Sequence, residues 1–162
     1  NPVQKSAALF VLLRVCFNGI WQTNKNTNNK FGTPVGNMWD VTVFNESDVR
    51  EYAEFLRSIT LIAGDFSQAE AYFSPSSMLY CDPPYRASQA NYQGQFGDEE
   101  QVRMCEFMLK ASDQGSFVAM SNKQDKPFWD LHLPEWKHTE FQVEYSAARK
   151  GMGKATEVLI TN

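Results

Sequence analysis

Cysteine is scarce in this sequence: Cys16, Cys81 and Cys105 are three residues at wide, irregular spacing. An odd count without a CxxC pair argues against a disulfide framework or a cysteine-rich zinc site, and it fits a reducing cytoplasm. Histidine is scarcer still. His132 and His138 lie six apart in a region rich in Trp and Pro, which offers no convincing ligand set, so no metal site is expected. No stretch approaches the ~18 consecutive apolar residues of a membrane span, so a spanning helix is excluded. The chain opens on Asn1 rather than Met, with neither a basic segment nor a signal-type apolar run. A processed chain, a cut chain or one missing its beginning is expected.

Acidic residues are absent from one region. Residues 1–39 contain Lys5, Arg14, Lys25 and Lys30 and no Asp or Glu, whereas residues 40–75 hold seven acids against two basic residues. The net charge of −4 alone argues mildly against nucleic acid, but this asymmetry creates a local positive field that favours it. On charge alone a solvated polar loop explains the region equally well. What the chain does have is the material for a core: 162 residues, 43% hydrophobic and 14% aromatic, enough for one ordinary domain.

Pro2 in a first turn followed by Val3–Leu13 predicts a helix, and its apolar run Ala7–Leu13 must pack on something large. Asn18–Trp39 is polar and punctuated by Gly19, Gly32, Pro34 and Gly36, the pattern of a long functional loop or irregular subdomain. Asn45 or Ser47 caps a helix reaching about Ser58. Strands are expected at Ile59–Ala63, Ser77–Cys81, Ser116–Met120, Phe141–Tyr145 and Glu157–Ile160. A short helix fits Phe66–Tyr72. A longer one fits Asp98–Ser112, with Val102, Cys105, Met108 and Leu109 sharing a face. Residues 86–97 form a polar loop, Lys126–Trp136 is broken by two prolines, and Arg149–Lys154 is a basic loop. Alternating strands and helices indicate an α/β sheet covered on both faces, with ligand-binding polar clusters at the strand ends near residues 63, 81 and 120.

The strand ending at Cys81 stops on Asp82-Pro83-Pro84-Tyr85. Two prolines fix φ and remove two N–H groups, so the loop is stiff before any ligand arrives. A carboxylate, a backbone carbonyl and an aromatic ring are thereby held together. An exocyclic amino group suits such a site, because two acceptors turn its lone pair out of conjugation toward an electrophile. Tyr85 would lie against the base, which must be flipped out of a duplex to get there. The plain alternative has Asp82 capping a turn and Tyr85 packing in a core.

Leu79-Tyr80-Cys81-Asp82-Pro83-Pro84-Tyr85 resembles the catalytic motif of the Dam-like (D12 class) DNA adenine-N6 methyltransferases. Further segments follow in the family order. Arg14-Val15-Cys16-Phe17-Asn18-Gly19 and Phe31-Gly32-Thr33-Pro34-Val35-Gly36 resemble two recognition-region segments. Gly64-Asp65-Phe66, Met120-Ser121-Asn122 and Glu157-Val158-Leu159-Ile160-Thr161-Asn162 resemble three more, so the likeness covers nearly the whole chain.

The resemblance implies methyl transfer from S-adenosyl-L-methionine to N6 of a flipped adenine in double-stranded DNA. Asp82, Pro83, Pro84 and Tyr85 would be catalytic, and Asp65, Phe66 and Asp82 would meet the cofactor. Arg14, Asn18, Gln22, Asn24, Lys30, Ser121, Asn122, Arg149, Lys150 and Lys154 would meet DNA. The implied fold is a partial Rossmann-like sheet with its first strands missing. In this division residues 1–13 lead into the recognition region, 14–45 form it, and 46–162 are the catalytic part. The chain departs from the family at Gln22, where Arg is common, and at Gly32, where Asn is common. Nothing in it matches the family's Gly-rich cofactor loop. A fragment is therefore expected, with an upstream segment, a second chain or self-association covering the gap. The competing readings are an inactive DNA-binding remnant, a cytosine-N4 methyltransferase-like protein and an unrelated α/β domain.

Overall fold

The computed structural model describes residues 1–28, 30–36, 44–86, 96–144 and 153–162, which divide into two units, Asn1–Ile62 and Ala63–Asn162. In the first unit, helix α1 spans Pro2–Val15 and is capped by Asn1, whose side chain accepts from the Val3 N–H at 3.0 Å. After it the chain turns through left-handed Asn18 (φ 52°) and Gly19 (φ 65°). It then returns alongside itself. Phe17 N–H donates to the Pro34 carbonyl and Gly36 N–H to that of Val15, each at 2.9 Å, and Cys16 bridges Val35. A Cβ on Gly36 would stand 3.3 Å from the Cys16 carbonyl, so this close pass favours glycine.

Strands β1 (Thr23–Asn24) and β2 (Lys30–Phe31) pair antiparallel farther along the same ribbon. The long polar stretch is thus an irregular but hydrogen-bonded subdomain, and it joins the two motif segments at 14–19 and 31–36. Helix α2 (Glu46–Arg57) has its N-terminus capped by Asn45, with Glu46 and Asp48 in its first turn. No residue of α1 or α2 is buried. Among the described residues of this unit the expected packing of the α1 apolar run on a large surface is not seen: Leu9, Phe10 and Val11 are exposed, and Phe10 meets the edge of Phe44.

The second unit is a mixed α/β structure around a four-stranded mixed sheet of order β3-β4-β6-β5. Strand β3 (Met78–Cys81) runs parallel to β4 (Phe117–Lys123), β6 (Lys154–Thr161) is antiparallel to β4, and β5 (Lys137–Glu144) is antiparallel to β6. A 3-10 helix (Phe66–Tyr72), helix α3 (Asp98–Asp113) and helix α4 (Lys126–His132) complete the unit. Met104, Cys105, Phe107, Met108 and Ala111 of α3 pack with Cys81, Val118, Met120, Val158 and Ile160, and α4 adds Trp129. Burying each large apolar side chain contributes roughly 1.5–3 kcal/mol.

Several expectations are corrected. Residues 59–63 form no strand, because the run has no ladder partner among the described residues. Strand β4 continues through Ser121 and Asn122, which pair with Leu159 and Val158 of β6 instead of ending the strand. Strand β5 starts at Lys137, earlier than its apolar residues suggest, because β6 supplies the ladder. The buried face of α3 includes Gln101 and Met104, while Leu109 is exposed. Among the described residues of this unit, the sheet is not covered on both faces. Met78, Tyr80, Phe117 and Phe141 on its second face are 66, 57, 49 and 40% exposed.

Candidate active site

Strand β3 delivers Asp82 at its carboxyl end, next to the parallel strand β4. The Tyr80 hydroxyl donates to Ser121 Oγ at 2.9 Å, and Ser121 Oγ donates to Asp82 Oδ1 at 3.0 Å. A serine hydroxyl has one proton. Because that proton points to Asp82, the tyrosine must donate, and the chain has a fixed direction. One oxygen of Asp82 is thereby anchored while the carboxylate as a whole stays exposed. Pro83 is buried, so the turn is seated in the core. The Tyr85 hydroxyl donates to Glu157 Oε2 at 3.2 Å, and Glu157 is only 8% exposed on β6. Burial, opposed by the Ser121 hydroxyl and helped by the negative charges of Glu157 and Asp82, pushes the Tyr85 hydroxyl above its ordinary pKa, so it remains a donor at neutral pH.

Beneath the turn lies a pair of buried amides. Gln101 Nε2 donates to the Pro84 carbonyl at 2.8 Å, Asn122 Nδ2 donates to Gln101 Oε1 at 3.2 Å, and Arg86 N–H donates to Asn122 Oδ1 at 2.9 Å. The Arg86 side chain ion-pairs with Asp98 and Asp125 and lies over the Phe128 ring, 4.3 Å from its centroid.

On the α3 side of the motif is a cleft of about 710 Å³, lined by Asp65, Phe66, Asp82, Pro83, Phe96 and Arg103 among others. The three residues expected to meet a cofactor, Asp65, Phe66 and Asp82, share it. Arg103 grips Asp65 with two nitrogens, at 3.0 and 2.7 Å, and its guanidinium lies 4.2 Å from the Phe66 ring centroid. Those hydrogen bonds, followed by others from Ser67, hold the Asp65 carboxyl well below the usual range. The nearby thiols are not nucleophiles: burial raises Cys81 to about 11 and Cys105 to about 12. Among the described residues no cluster of metal ligands occurs, and no helix is long and apolar enough to cross a membrane.

The model of the D12 class N6 adenine-specific DNA methyltransferases matches residues 1–146. The chain belongs to this family. It is 27% identical over 80% of its length to a type II methyltransferase of Methanocaldococcus jannaschii, covering 46% of that protein. It is 27% identical over its whole length to a type II methyltransferase of Lactococcus lactis subsp. cremoris, covering 60% of it. A DNA adenine methylase of Haemophilus influenzae is 31% identical over 61% of the chain and 34% of its own length. The chain therefore spans about half the length of the curated relatives it matches.

The residues of this D12 class chain expected to meet DNA are dispersed. Arg14, Asn18, Gln22, Asn24 and Lys30 are exposed in the first unit, in the last turn of α1 or along the ribbon after it. The Asn24 side chain caps a short turn by accepting from Asn26 N–H at 2.9 Å. Lys154 is exposed and pairs with Glu144 at 3.3 Å. Arg149 and Lys150 lie outside the described residues. Ser121 is engaged with Asp82. Asn122 has no exposed surface and supports the motif from inside, so in this conformation its side chain meets no groove. Gln101 was not anticipated. The available signal was its position three residues before Met104 and seven before Met108, which places an amide on the buried face of α3.

Proposed function

We propose that this chain presents a flipped adenine of double-stranded DNA to S-adenosyl-L-methionine, forming the acceptor side of a site-specific adenine-N6 methyltransferase. The observation that carries this reading is the directed hydroxyl chain from Tyr80 through Ser121 to Asp82. It orients a carboxylate beside the Pro83 carbonyl, while the Pro84 carbonyl is already taken by Gln101. Asp82 and the Pro83 carbonyl then accept the two amino hydrogens of the base. The nitrogen lone pair turns out of the ring plane. Tyr85, tethered by its hydroxyl, stacks on the base, a contact worth roughly 1–3 kcal/mol. Transfer of a methyl group from a bound donor would leave the amino nitrogen with one proton to lose to solvent, during or after transfer.

The cleft suits the cofactor. Its size falls in the roughly 300–1,000 Å³ range of small-molecule sites. Its exposed Asp82 carboxylate and its aromatic rings suit a cationic molecule bearing an adenine ring, while Asp65 and Glu100 are paired with Arg103. Asp65, Phe66 and Asp82 would hold S-adenosyl-L-methionine, which when bound supplies an electrophilic methyl group. We read residues 14–45 as the recognition region, reached through the helix at 1–13, and residues 46–162 as the catalytic part. The parallel β3–β4 pair, with its motif at the carboxyl ends, supports a partial Rossmann-like sheet. Among the described residues β3 is an edge strand and the second face of the sheet is exposed, which leaves room for an upstream segment, a second chain or self-association. Three free thiols suit the cytoplasm.

The test is Asp82→Ala in the full-length protein, with methylated bases mapped on exposed DNA. The wild type is expected to mark adenine at N6, and the variant to lose transfer while retaining duplex affinity. Near-normal turnover in Asp82→Ala would remove Asp82 from the chemistry, and N4-methylcytosine as the product would overturn the target base.

A further inference from the structure

We propose that Gln101 and Asn122 form an internal clamp that sets the pose of Tyr85, making both of them positioning residues for the transfer reaction. The proposal rests on the functional reading above and assigns a role to two side chains that never reach the substrate. Gln101 is 1% exposed and Asn122 is 0% exposed. Burying two primary amides is costly unless their polar atoms are matched, and here they are matched to the catalytic turn. Gln101 donates to the Pro84 carbonyl, which belongs to the peptide unit entering Tyr85. Asn122 accepts from the Arg86 N–H, which belongs to the peptide unit leaving Tyr85. The two amides are joined by the Asn122-to-Gln101 bond, and Asn122 Oδ1 also accepts from its own strand at Lys123 N–H, at 2.8 Å.

The direction of every bond in this relay is forced. A carbonyl only accepts and a peptide N–H only donates, so the end groups at 84 and 86 fix the orientation of both amides between them. Turning Gln101 over would set like against like at two contacts, and turning Asn122 over at three. Both peptide planes beside Tyr85 are therefore held from below by α3 and β4. The Tyr85 hydroxyl is held from a third side by Glu157. A ring fixed at its backbone and at its tip has little freedom to tilt, as a stacking surface for a flipped base requires. Apolar residues of similar volume would fill this part of the core without the desolvation cost, but they would leave the turn unregistered.

The test compares wild type, Asp82→Ala, Gln101→Met and Asn122→Asp in the full-length protein. Gln101→Met keeps the length of the side chain but removes its donor and acceptor. Asn122→Asp keeps acceptance from Arg86 and Lys123 but removes donation to Gln101. For both, kcat is expected to fall roughly 10- to 100-fold, the scale of a small misplacement of reacting groups. Duplex affinity and the KM for S-adenosyl-L-methionine should stay near wild type. The fluorescence of 2-aminopurine at the target site should change as stacking is lost. Hydrogen exchange at the Arg86 amide should accelerate, a readout that needs no activity.

Wild-type kcat together with unchanged Arg86 exchange in both variants would overturn the clamp and leave the proposed function standing. If Gln101→Met loses its folded near-UV signal, Asn122→Asp decides: kcat loss with intact duplex affinity supports the clamp, and wild-type kcat overturns it. If the wild type itself transfers no methyl group, the functional reading fails. Arg86 exchange then decides separately whether the amides hold the turn.

Discussion

Ser121 has one proton to give, and in this structure it gives it to Asp82. A carboxylate with one oxygen anchored in this way presents the other in a defined direction, whereas a free carboxylate would sweep a cone. Ser121→Ala should remove that anchor and leave Tyr80 without its acceptor. The expected outcome in the full-length protein is a kcat loss on the order of 10-fold, consistent with the loss of one orienting hydrogen bond to a charged group. Duplex affinity should be unchanged, and Ser121→Thr should restore most of the rate. Gel-shift titration and single-turnover methylation separate the two quantities. A variant that loses duplex affinity while keeping its rate would return Ser121 to the DNA-contact role that the sequence alone suggests.

At the scale of elements, helix α3 joins the core to the site. One face carries Met104, Cys105, Met108 and Ala111 into the sheet, and Gln101 on that face reaches the catalytic turn. Met108 has no exposed surface, so Met108→Ala should destabilise the second unit by roughly 2–5 kcal/mol, measurable by urea denaturation. A cost below about 1 kcal/mol would mean that the core closes over the cavity and that α3 is not firmly seated. Much of this element was legible from sequence, since acids in the first turn and an apolar periodicity are local properties. The Asp82–Tyr85 turn was legible for the same reason: two prolines after an apolar strand leave few conformations open. What was not legible depends on partners. Ile59–Ala63 has the composition of a strand but no ladder partner among the described residues, and Ser121 and Asn122 look like a strand end until β6 pairs with them. Gln101 is invisible to any pattern that treats a glutamine in a helix as solvent-facing.

At the scale of the molecule, the strongest remaining signal is the second face of the sheet, which among the described residues of the second unit carries exposed apolar side chains. Met78, Tyr80 and Phe117 lie on adjacent strands on that side, with Met78 directly opposite Phe117 in the register. A contiguous apolar surface of this kind on a folded unit invites association. The 162-residue chain is therefore expected to bind a hydrophobic dye such as ANS and to show mass that rises with concentration in light scattering. Phe117→Lys places a charge at the centre of the patch without touching the buried face of β4, where Val118 and Met120 point the other way. It should lower both dye binding and association while leaving the urea midpoint near wild type. If the wild-type chain is already monomeric and silent to the dye, the face is covered in solution, and neither a second chain nor self-association is needed to explain it. If Phe117→Lys instead unfolds the second unit, the face is part of a packed interior, and the bare-sheet description fails.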